Sequence, residues 1–76
     1  MEMCLDHLRL GKRAVVTDIA TDAALRERLH TFGFVPGTQV LCSYRCPGGS
    51  VTALEFRGTT VALRTRDMHG IRVQCG

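Results

Sequence analysis

The stretch Leu25-Arg26-Glu27-Arg28-Leu29-His30-Thr31-Phe32-Gly33-Phe34-Val35-Pro36-Gly37 decides how this chain folds. Leu25, Leu29 and Phe32 recur at i, i+4 and i+7, the spacing that lines one side of a helix with apolar side chains. Arg26, Glu27 and His30 fall off that stripe. The pattern predicts a short helix over residues 22–32, with Thr21 or Asp22 capping its first turn. Gly33 then suits the left-handed C′ position, which costs a residue without Cβ little. Phe34 becomes C″, placed to touch Leu29 as in a Schellman stop. Pro36-Gly37 prevents the helix from resuming and turns the chain.

On either side of this block the apolar period is two. Upstream, residues 1–12 read as a lead-in and Arg13–Ile19 as a strand rich in β-branched residues. Downstream, Thr38–Arg45 places Val40, Cys42 and Tyr44 on one face and Leu41, Ser43 and Arg45 on the other. Cys46-Pro47-Gly48-Gly49 is a turn. In Ser50–Arg57, Leu54 and Phe56 point inward, with Glu55 and Arg57 outward. Gly58 breaks the run, Thr59–Arg64 turns Val61 and Leu63 inward, Thr65–Gly70 is a short helical turn, and Ile71-Arg72-Val73 closes the chain. About five short strands and one helix after the first strand make a mainly β protein, and strands this short need closure to hide their edges. A small, partly open SH3-like barrel satisfies both. An OB-type barrel also has five strands and a helix, but its helix normally falls between the third and fourth strands.

A chain of 76 residues has room for one domain, spanning 1–76, and little surplus for a deep strained cavity. The N-terminus carries acid early and lacks an apolar core of signal-peptide length, and the apolar runs are far too short to cross a membrane. A cytoplasmic protein with reduced Cys4, Cys42, Cys46 and Cys75 is therefore expected, with no direct membrane insertion.

The residues for catalysis are thin. Ser43 and Ser50 lie outside any G-x-S-x-G elbow, and Gly11-Lys12 alone cannot cradle phosphates. Cys42 alternates inward with Val40 and reads as a small buried hydrophobe. Metal ligands could come from Cys4, His7, His30, Cys42, Cys46, His69 and Cys75, but Cys4-x-x-His7 has no second half at matching spacing, so no metal site or cofactor is expected. The formal net charge is +3, carried by scattered arginines. All four aromatics are assigned to the interior, Phe32, Tyr44 and Phe56 on inward faces and Phe34 at the helix stop, which leaves no stacking platform for nucleic acid.

Taken in order, Leu5-x-x-Leu8-x-x-Gly11, the strand to Ile19, Leu25-x-x-Arg28-Leu29-x-x-Phe32-Gly33-Phe34-x-Pro36-Gly37-x-x-Val40, Pro47-Gly48-Gly49, Gly58, Val61-Ala62-Leu63-Arg64 and Ile71-x-Val73 resemble the FeoA family. Phe34 and Ser50 stand where that family usually has an aliphatic residue and a second proline. The resemblance implies an SH3-like fold and a non-enzymatic, cytosolic accessory role in bacterial ferrous iron uptake. The implied partner is the cytosolic GTPase region of the FeoB membrane transporter, which would bring the protein to the inner membrane. A related barrel in iron-dependent repressors implies an alternative, a metal-responsive regulatory domain.

The faces read as outward carry Leu41, Val51, Ala53 and Ala62, enough for one apolar patch flanked by Arg45, Arg57 and Arg64. Two fates stay open for it. Residues 1–10, with Leu5 and Leu8, fold over it, or part of it stays exposed and docks a protein partner. The polar helix face of Arg26, Glu27 and His30 is a second docking candidate. Pairing of two copies is also open to so small a barrel.

Overall fold

A computed structural model describes residues 1–75, so Gly76, the last position of the expected domain, lies outside the described residues. The elements run β1 (Glu2–Cys4), a 3₁₀ turn (Leu5–His7), β2 (Arg13–Ile19), α1 (Ala23–Thr31), β3 (Gln39–Arg45), β4 (Val51–Phe56), β5 (Thr59–Arg64), α2 (Thr65–Met68) and β6 (Ile71–Gln74). The strands form one antiparallel sheet in the order β1-β6-β2-β3-β4-β5. Its two ends, β1 and β5, are not bonded to each other. The 3₁₀ turn and α2 pack into the gap, α2 touching both the turn and β5. His69, which caps α2, donates from Nδ1 to Asp6 Oδ2 in the turn at 2.8 Å. The result is a mainly β, barrel-like fold in which α1, nine residues long, follows β2.

The helix stop forms as its residue types dictate. Asp22 Oδ1 accepts from Leu25 N at 2.8 Å and satisfies one orphan donor of the first turn. At the other end Phe34 N–H reaches Leu29 C=O at 2.8 Å and Gly33 N–H reaches His30 C=O at 2.9 Å, with Gly33 at φ 87°. These are the two bonds of a Schellman motif. They swing Phe34 into the core, where its ring meets Phe56 edge-on with centroids 5.2 Å apart. Thr38, buried, accepts from Val35 N–H and donates to Gly33 C=O, which locks the loop between α1 and β3.

Three expectations need correction. Among the described residues there are six strands: the lead-in contains β1, which pairs with β6 across nearly the whole chain length. Three residues are too few to show a period, so pairing with a remote partner makes this strand. Phe32 is half exposed, at 49%. The stop turns Phe34 inward, whereas Phe32, at the C-cap of α1, stays at the helix rim in the lining of a surface groove. Tyr44 is 57% exposed because β3 carries a bulge: Cys42 pairs with Leu54, but Tyr44 pairs with Ala53. Ser43 is the extra residue, and parity reverses after it. Tyr44 therefore faces out and Arg45 faces in.

The N-terminal strand is laced to its neighbours by Glu2. Its carboxylate accepts from Thr17 Oγ1 at 2.9 Å and from Arg72 Nε at 3.2 Å, linking β1, β6 and β2. The Thr17 bond first, then Arg72, lowers the Glu2 pKa below the ordinary glutamate value. A lowered folded-state pKa contributes stability above the ordinary value, and that contribution is lost as pH falls through the lowered one. NMR titration should therefore find the Glu2 midpoint depressed, with faster exchange of the β1 amides below it, and Thr17→Ala should move the midpoint back up. At the helix stop, Gly33→Val should cost ~1–2 kcal/mol or more in denaturant unfolding, because a β-branched residue is forced to positive φ.

Candidate protein-binding face

The outer surface of β3, β4 and β5 is built by register. One row pairs Leu41 with Glu55 and Glu55 with Thr60; the next pairs Tyr44 with Ala53 and Ala53 with Ala62; the third pairs Val51 with Arg64. The middle row places a large exposed ring beside two small residues, so the ring has a flat apolar floor. Leu41, Val51 and Ala53 are half-buried, and Ala62 and Arg64 are exposed. Residues 1–10 do not cover this face. β1 runs along β6 at the far end of the strand order, and Leu5 and Leu8 are fully buried in the core. Those two leucines are needed to plug the gap between the sheet's ends and have no side chain left to offer outside.

The expected flanking arginines separate. Arg64 does border the patch. Arg45 faces the barrel's inward side, where Nη2 donates to Leu8 C=O at 2.7 Å and Nε to Thr52 Oγ1 at 3.3 Å. Its guanidinium ties the loop after the 3₁₀ turn to β3 and β4, and its outward assignment fails for the same reason as Tyr44's inward one. Arg57 lies in the two-residue turn with Gly58, at φ 51°, its Nη1 3.7 Å from where a Cβ on Gly33 would sit. It belongs to the helix-stop corner, away from Arg64. Tyr44 is the residue that strand alternation missed; no local signal marks Ser43 as a bulge.

The candidate ligands do not converge. Among the described residues no three His, Cys, Asp or Glu side chains are placed to hold a metal ion. Cys42 is buried beside Arg45, and His30 is exposed on α1. His7 and His69 both approach Asp6, at 3.8 and 2.8 Å, where the shorter contact serves closure of the barrel. The polar helix face of Arg26, Glu27 and His30 lines a shallow hollow with Asp18, Ile19 and Pro36.

Arg45→Ala should lower thermal stability by about 1–3 kcal/mol, since it strands the Leu8 carbonyl, whereas Arg64→Ala should leave melting within ~0.5 kcal/mol of the parent. Parallel melting curves of the two variants check the assignment of faces.

Comparison with known proteins places this geometry. A match to the FeoA domain family covers residues 3–75. The FeoA protein from Chlorobium tepidum is 32% identical, with a TM-score of 0.92 over 96% of this chain and 70% of that one. The Stenotrophomonas maltophilia FeoA, a prokaryotic SH3-domain protein crystallised with zinc, is also 32% identical, with a TM-score of 0.82 over 95% of this chain and 89% of that one. A manganese-dependent transcriptional repressor shares the fold at 17% identity and a TM-score of 0.87, over 99% of this chain and 42% of the repressor. No curated protein matches the chain in sequence.

Proposed function

This chain belongs to the FeoA family, and from that premise we propose that it is a non-enzymatic, cytoplasmic accessory of ferrous iron uptake that docks the cytosolic region of a FeoB-type transporter. The observation that carries the reading is the uncovered apolar row Tyr44–Ala53–Ala62, widened by Leu41 and Val51 and bordered by Arg64. No helix among the described residues is long and apolar enough to cross a membrane. In this reading ion passage is the transporter's work, and the protein acts on it from outside.

The physical basis is ordinary interface chemistry. A tyrosine brings a large rigid ring with few rotors to freeze and a hydroxyl that keeps it soluble when unbound. Flat neighbours let a partner approach closely around it. Arg64 at the margin gives orientation more than affinity. Likeness to the Stenotrophomonas protein, described as a candidate ferrous iron transport activating factor, supports the same role. The repressor likeness carries the fold alone.

Titration of a transporter's soluble cytosolic domain, with and without nucleotide and ferrous ion, tests this. Tyr44→Ala and Leu41→Glu should each weaken binding by tenfold or more, with melting temperature nearly unchanged, because both side chains lie on the open face. Parent-like binding by both variants overturns the docking face. Co-purification with a DNA-bound factor and no transporter would favour the regulatory reading.

A further inference from the structure

The strand at the end of the sheet, β5, has an unpaired edge, and what surrounds it is specific. A two-residue turn makes Phe56 and Thr59 a hydrogen-bonded pair, so Val61 and Leu63 bond to β4 while Thr60 and Ala62 aim both backbone groups away from it. Neither residue finds a backbone partner elsewhere among the described residues. Natural sheets blunt such edges with short strands, proline, bulges or covering segments. β1, the opposite edge, is three residues long. β5 has six residues, unbroken register and no proline.

A groove of about 490 Å³ runs beside this edge, between α1, β5 and the start of α2. Its apolar lining includes half-buried Leu25 and Val61 and the exposed Phe32. The charges around it are uneven. Arg28, Arg64 and Arg66 are exposed, and none is in an ion pair among the described residues. Of the two carboxylates, Asp22 is engaged as the helix cap, which leaves Asp67.

We infer that β5 accepts an additional strand from a partner protein: an extended segment alternating apolar and acidic residues. Its backbone pairs with Thr60 and Ala62, its apolar side chains enter the groove at Leu25 and Phe32, and its carboxylates meet Arg28, Arg64 and Arg66. The arginines favour such a segment over a second copy, whose own β5 would bring positive charge to the same groove. The inference rests on the reading of this protein as a binding module and supplies the mode of capture.

The test uses the full chain and a capped eight-residue peptide alternating valine and glutamate. Binding should slow hydrogen exchange of the Thr60 and Ala62 amides at least tenfold. Ala62→Pro should abolish it, since that N–H serves no internal ladder bond and proline is tolerated on an edge. Should that variant melt abnormally, a peptide N-methylated at alternate residues removes the same bonds from the other side and should likewise fail to bind. Alternating valine and lysine should bind at least tenfold more weakly. Several results overturn the inference: no binding, binding that leaves those two amides unprotected, equal binding of the lysine peptide, or protection that grows with protein concentration in the absence of peptide. No transporter enters this experiment, so a negative transporter titration overturns the docking reading alone.

Discussion

A single left-handed residue organises this molecule. Gly33 lets the chain leave α1 in a tight reversal, and the two Schellman bonds that follow fix the direction of Phe34. Phe34 is the largest fully buried side chain, and its contact with Phe56 joins the helix connection to the far hairpin. Without that reversal the ring would point along the helix axis into solvent. The core would then lose its centre, and β3 would start from the wrong place. The buried Thr38 hydroxyl completes the device by bonding both sides of the loop.

The second constraint is that the sheet stays open. Six short strands curl far enough to enclose a core but leave β1 and β5 unjoined. Leu5, Leu8 and Met68 plug the interval, with Arg45 and the Asp6–His69 contact holding the plug in place. Each apolar residue near the N-terminus that plugs the gap is one that does not cover the outside. The exposed row on β3–β5 and the free edge of β5 follow from this allocation: a chain this small has only enough apolar surface to close itself on one side.

Much of this was legible in the residues, for local reasons. The helix and its stop announce themselves through glycine, an apolar stripe and a capping carboxylate within a dozen positions. The strands β2–β5 show as β-branched or period-two runs separated by turn residues, and the family resemblance draws on the helix block. What stayed hidden depends on partners distant in sequence. β1 exists because β6 lies beside it. Phe32 sits outside while the Schellman stop turns Phe34 into the core. Tyr44 and Arg45 exchange faces because Ser43 doubles up against Ala53, an event of cross-strand geometry invisible to a count along one strand. The candidate face is read from Leu41, Val51, Ala53 and Ala62, and Tyr44, which strand alternation turns inward, lies exposed beside Ala53 instead.

The bulge also makes β3 unequally tolerant of changes in length. Ser43 shares its opposite number with Tyr44, so shortening the chain by this one residue would keep the aromatic outside and the guanidinium inside. Gaining a residue between Tyr44 and Arg45 would instead send the guanidinium out to solvent and leave the Leu8 carbonyl without its donor. Relatives that differ by one residue here can thus keep the same surface, whereas a gain one step further on rewrites it.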